Sequence, residues 1–184
     1  LSEAPDILID FSLPEALPGL VDFVKEHKSC VVSGTTGFND SQFETFFELG
    51  KIVPLFWAAN MSLGVHLMCE LTEQLARYEK FFQFKIEEAH HVHKKDKPSG
   101  TALIIEQAAR RSTSKIKPIE SIREGEIFGI HRFIAESPLE TLEVRHKALD
   151  RALFAQGALD VSLWLADQEP GVYTMGDFCK TVLS

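Results

Sequence analysis

Residues 88–102 read Glu-Ala-His-His-Val-His-Lys-Lys-Asp-Lys-Pro-Ser-Gly-Thr-Ala, placing three histidines and three lysines within residues 90–97. Imidazole and ammonium groups can move a proton near neutral pH, and both can hold an anion. Ser99-Gly100-Thr101 reads as a helix start, whose first N–H groups and positive dipole end suit a carboxylate or phosphate. The same residues also fit a solvated basic loop leading into a capped helix. Three close histidines raise zinc as a third reading, but no carboxylate or thiol completes a recognised ligand spacing, so no metal is expected.

Two further segments can carry chemistry. Gly34-Thr35-Thr36-Gly37 follows an apolar run at the edge where parallel α/β sheets bind ligands, and its glycines let backbone approach a flat ring or a phosphate. Read blandly, it is a turn. Ala58-Ala59-Asn60-Met61 follows the next apolar run, with small side chains that leave space for a ring; its plain alternative is a strand-to-helix connection with Ser62 as N-cap. His27, His66 and His146 read as structural, and Arg123-Glu124-Gly125 as a turn ion pair with no chemistry assigned.

The elements that must position these residues alternate simply over the first sixty positions. Apolar runs at 7–11, 30–33 and 52–56 enclose helical stretches at 15–27 and 40–49. Leu17, Leu20, Val21 and Val24 share one helix face; Phe43, Phe46 and Phe47 share another, between an Asn39/Asp40 cap and Gly50. This βαβαβ order predicts a parallel sheet with right-handed crossovers. After Ser62 a long helix (63–78) leads to an alternating strand, with Phe82, Phe84 and Ile86 set against Gln83, Lys85 and Glu87. A helix over 99–111, strands at 119–123, 131–135 and 139–146, and helices at 151–166 and 175–182 follow. The later strands predict an open, largely antiparallel or mixed sheet that needs a partner on one face.

Composition narrows the class. A 45% hydrophobic and 25% charged chain matches soluble globular proteins, and no apolar run is long enough to span a bilayer. A formal charge of −8 without a Lys/Arg stripe excludes the footprint of a nucleic-acid binder. Cys30, Cys69 and Cys179 show no paired spacing and read as reduced core residues of a cytoplasmic protein. The chain opens with Leu1 rather than Met, which suggests an absent upstream segment.

The segment Glu88 to Ala102 meets every fixed position of the form E-x-H-H-x-x-K-x-D-x-P-S-G-T-A, and on it the chain resembles the dihydrodipicolinate reductase family. The resemblance extends through 6–11, 34–38, 58–62, 123–125, 129–131, 146–148 and 154–157. It implies hydride delivery from NADPH or NADH to a small dicarboxylate, giving tetrahydrodipicolinate in lysine and diaminopimelate biosynthesis, with protonation of the reduced enamine. His90 and Lys94 are then the catalytic candidates, and His91, Gly100 and Thr101 hold substrate carboxylates. Gly34, Thr35, Thr36, Ala58, Ala59, Asn60 and Met61 line the nicotinamide end of the cofactor site. A homotetramer built through the second domain's sheet is also implied.

The resemblance also predicts a G-x-x-G-x-x-G phosphate turn, which does not occur in these residues and is expected before Leu1. The resulting expectation is an α/β protein in two parts. Residues 1–61 and 155–184 form an incomplete Rossmann-like nucleotide-binding domain, and residues 62–154 form an α+β substrate-binding and tetramerisation domain. A non-catalytic, oligomeric anion-binding remnant of the same family is the competing class.

Overall fold

The structure is a computed structural model that describes residues 4–182; Leu1 lies outside them. The chain divides into two compact units: residues up to Met61 together with those from Ala152 onward, and Ser62–Arg151 between.

In the first unit, β1 (Ile7–Asp10), β2 (Cys30–Ser33), β3 (Pro54–Trp57) and β8 (Gly171–Tyr173) form a sheet in that order, all parallel. The crossovers are α1 (Leu17–His27) and α2 (Asp40–Glu48). Asn39 caps α2 in a reciprocal box: its side chain accepts from the Gln42 N–H, and the Gln42 side chain accepts from the Asn39 N–H. Val24, Val31, Phe46 and Leu55 fill one face of the sheet, with Leu20, Phe43 and Phe47 packed against them. The continuous apolar strands thus reflect burial on both sides. On the other face α5 (Ala152–Leu165) sets Ala158, Val161 and Leu165 against Val32 and Phe56, with α6 (Met175–Val182) contributing Met175 and Cys179.

The short strand β8 has no counterpart in the sequence reading, because three residues after Pro170 are too few to show a period. It also changes the reading of Gly50. That residue lies in a short 3₁₀ turn, and a Cβ there would stand 2.5 Å from Val172 of β8, so its value is close packing rather than ending a helix.

In the second unit, β4 (Gln83–His90) lies between β5 (Glu120–Arg123) and β6 (Gly129–Glu136), with β7 (Thr141–Ala148) beyond β6. The β4–β5 pair is parallel, and β4–β6 and β6–β7 are antiparallel, so the sheet is mixed. The helices α3 (Leu63–Ala76) and α4 (Gly100–Arg110) supply Met68, Ala76, Ala102, Ile105 and Ala109 to a core with Phe84, Ile86, Phe133 and Ala135. The Phe84 and Phe133 rings stack at 5.3 Å and are fully buried. Truncating either to alanine would cost about 3–5 kcal/mol. The opposite face of this sheet carries Lys85, Glu87, Arg132 and Glu143, where Arg132 pairs with both acids. Among the described residues no helix is long and apolar enough to cross a membrane.

Candidate functional site

The alternation of β4 decides which way its charged end points. Phe84 and Ile86 face the core, so Glu88 and His90 do too, and both are buried. A carboxylate in such a place needs partners. Glu88 receives Arg123 as a two-pronged fork, Nη1 to Oε2 at 2.9 Å and Nη2 to Oε1 at 2.8 Å, with the Ser99 N–H 3.3 Å from Oε1. His90 Nδ1 lies 2.5 Å from Oε2. Burial works against the charge on Glu88, yet hydrogen bonds from Arg123, Ser121 and His90 hold its carboxyl below the usual range. Burial also lowers the pKa of His90, outweighing the pull of Glu88, with Lys94 and Arg123 pushing the same way as burial.

Arg123 is the site residue that the sequence reading missed. It was expected to form a turn ion pair without chemistry, but its guanidinium turns inward to Glu88. It also donates to the main-chain carbonyls of Asp96 (2.6 Å) and Lys94 (3.4 Å). The available signal was parity: extending the β4 alternation by two residues puts an acid on the core face, which requires a cation nearby.

The loop after β4 delivers Lys94, whose Nζ lies 2.9 Å from Asp96 Oδ1. The Gly100 N–H also bonds to Asp96, and although its slight burial opposes charge, these contacts keep its carboxyl low. Ser99 caps α4 by accepting from the Ala102 N–H. The helix start therefore engages carboxylates as its residue types predict, but both are the chain's own, Glu88 at Ser99 and Asp96 at Gly100. His91 follows β4 directly, its N–H donating to the Ile127 carbonyl at 2.7 Å. Thr101 is half-buried in the first turn of α4.

Beside His90 stands a row of imidazoles, with His131 buried and His146 half-buried. The His131 ring lies 5.2 Å from that of His90 and 6.2 Å from that of His146, and Ser99 Oγ is 3.2 Å from His131 Nε2. Burial, with His90 and His146 adding to it, brings the pKa of His131 down to about 3. Among the described residues no group of three or more His, Cys, Asp and Glu is arranged to hold a metal ion.

In the first unit, the loops after β2 and β3 leave the same sheet edge. Asp10 at the end of β1 accepts from Ser33 Oγ (2.9 Å) and Thr35 Oγ1 (2.8 Å), and Trp57 Nε1 donates to the Thr35 carbonyl at 2.9 Å. Thr35 is thus a buried tie between the loops, its hydroxyl donating to Asp10. Met61 is likewise core, 1% exposed. Thr36 and Gly37 are exposed, as is Ala59, while Ala58 and Asn60 are half-buried. Gly34 lies under the Phe11 ring, which a Cβ would meet at 2.3 Å, so its small size is explained by that ring.

The fold and site define a two-part α/β protein: a parallel-sheet unit with ligand-accessible loops at its carboxyl edge, and a mixed-sheet unit bearing a carboxylate-backed histidine beside a lysine. Family models describe both parts. "Dihydrodipicolinate reductase, N-terminus" matches residues 1–61, and "Dihydrodipicolinate reductase, C-terminus" matches residues 64–179. The chain belongs to the dihydrodipicolinate reductase family.

The 4-hydroxy-tetrahydrodipicolinate reductase of Bdellovibrio bacteriovorus is 40% identical over 177 residues, covering 96% of this chain and 77% of that protein. That of Rickettsia bellii is 35% identical over 199 residues, covering 100% and 79%. A solved structure, dipicolinate-bound dihydrodipicolinate reductase from Paenisporosarcina sp. TG-14, matches with a TM-score of 0.77 over 92% of this chain and 72% of that one. At 23% identity it bears on the fold.

Proposed function

We propose that the protein is an NAD(P)H-dependent 4-hydroxy-tetrahydrodipicolinate reductase of lysine and diaminopimelate biosynthesis, acting in the cytoplasm. The observation that carries this reading is the conjunction of a buried His90 backed by Glu88 with Lys94 and the α4 start on one loop, in a chain of this family. A dinucleotide fits the first unit, because Thr36, Gly37 and Ala59 leave accessible small residues and backbone between loops stiffened by Asp10 and Trp57. Bound there, the nicotinamide supplies the hydride. Gly34, Ala58 and Asn60 join these residues at its edge, with Thr35 and Met61 setting the loop backbones.

In the second unit, Gly100, Thr101 and His91 hold the carboxylates of a small dicarboxylate. Asp96 shows the chemistry with a carboxylate of the chain's own: it takes Lys94 Nζ and the Gly100 N–H together, so a substrate carboxylate competes with it for those donors. The face of Gly100 is open, since a Cβ there would meet nothing within 4 Å. His90 and Lys94 deliver the proton that completes reduction of the enamine.

The assembly in this reading is a homotetramer formed through the second unit's sheet. Its support is that α3 and α4 cover one face, the charged opposite face is left to solvent, and Leu139 is 96% exposed beside the eight-residue strand β7. A stable monomer by light scattering at micromolar concentration would contradict the assembly. The function is tested by following oxidation of NADPH and of NADH with the substrate, comparing the protein with Gly100→Val. Turnover with a raised KM in the variant supports the reading; no oxidation of either nucleotide by the protein overturns it.

A further inference from the structure

We propose that Glu88 is a positioning residue for proton transfer: held by the Arg123 fork, it fixes His90 with a hydrogen on Nδ1 and makes Nε2 the nitrogen that exchanges the proton. The inference deepens the reductase reading and rests on it for the role of His90.

An ionised carboxylate accepts hydrogen bonds and donates none. The two oxygens of Glu88 face Arg123 Nη1 and Nη2, the Ser99 N–H and His90 Nδ1, so Nδ1 must carry the hydrogen at that contact. With Nδ1–H engaged, a neutral ring keeps its lone pair on Nε2, and a charged ring has its second N–H there. Loss and gain of the proton then both occur at Nε2, and the carboxylate stabilises the imidazolium.

Arg123 has two tasks in this arrangement. Its paired donors keep Glu88 ionised where burial alone would favour the neutral acid. Its bonds to the carbonyls of Lys94 and Asp96 tie the loop that carries the second proton donor to the same carboxylate. A lysine at 123 could supply the charge but not the planar fork. Stability alone gives no reason for the pair, since well-packed apolar residues often replace a buried ion pair without loss. Orientation of His90 and of its loop does give one.

The test reads the His90 ring by two-bond ¹H–¹⁵N correlation in histidine-labelled protein without substrate or nucleotide, and pairs that with kinetics. The expected wild-type spectrum has the neutral His90 ring as the Nδ1–H form. Glu88→Leu with Arg123→Met removes both charges while keeping apolar volume. In that double variant the Nδ1–H form should lose its dominance and kcat should fall by about tenfold or more, with KM moving by less than about threefold. A folded double variant with an unchanged tautomer, or with kcat within about twofold of wild type, overturns the inference. If the double variant does not fold, the wild-type ring decides: Nδ1–H supports the inference, and Nε2–H overturns it. A wild type that shows the Nδ1–H ring but oxidises neither NADPH nor NADH refutes the reductase reading alone.

Discussion

Replacing Arg123 with methionine keeps most of the side-chain volume and removes the charge. In the folded protein the Arg123 side chain is 7% exposed and that of Glu88 0%, so water cannot take over the lost bonds. The variant leaves Glu88 with the Ser99 N–H, Ser121 and His90 Nδ1 as partners, none of which carries the charge of the guanidinium. Breaking a buried pair from one side costs about 3–5 kcal/mol, because the remaining charge is uncompensated. Protonating the carboxyl relieves part of that cost, at about 1.4 kcal/mol for each unit its pKa rises.

The pH dependence follows from the sign of the Glu88 shift. Its folded pKa is depressed, so in the wild type the stabilisation is present above the ordinary value of 4.5 and is lost as pH falls through the folded value below it. In the variant, burial raises the pKa instead, so the unpaired acid is tolerated better as pH falls. Urea unfolding followed by circular dichroism at neutral pH and near the ordinary carboxyl value is the assay. The deficit should be several kcal/mol at neutral pH and narrow towards acid. A loss below about 1 kcal/mol, as for an exposed ion pair, and independent of pH would refute the reasoning.

Lys94→Ala should lower kcat by roughly 10²-fold or more with a smaller change in KM, as steady-state kinetics would show; a change in KM alone would reassign Lys94 to carboxylate anchoring. Asp10→Ala removes the acceptor shared by Ser33 and Thr35, and calorimetry should show NADPH or NADH bound about tenfold more weakly, about 1.4 kcal/mol. His131 has a folded pKa of about 3 against 6.5 in the open chain, so the unfolded state binds the extra proton between those values. The protein should therefore lose stability as pH falls through that window, by up to about 1.4 kcal/mol per unit from this residue, and unfolding curves of His131→Phe should show a shallower acid slope.

The parallel unit was legible because its strands are uninterrupted apolar runs separated by amphipathic helices, which leaves one arrangement of layers. The mixed unit was legible in its elements, since period two marks a sheet with one wet face, but pairing partners follow from long-range contacts that no local pattern encodes. At the site, His90, Lys94 and the α4 start stood out because they lie in one short segment. Arg123 did not, because 35 residues separate it from Glu88 and only the parallel pairing of β5 with β4 brings them together. Thr35 and Met61 are buried, a property their place in a loop does not reveal, because position along the chain does not tell which way a side chain turns. Asp96 sat in plain view within the signature, yet its hold on Lys94 and Gly100 depends on the fold of the loop.

Hydride transfer by this protein is read by offering it the substrate with nucleotide deuterated at the transferring position of the nicotinamide ring and weighing the product. One deuterium is expected in each tetrahydrodipicolinate formed, with one nucleotide oxidised for each. Binding of the dicarboxylate with no deuterium transferred from either NADPH or NADH would contradict it and leave an anion-binding protein without reductase chemistry.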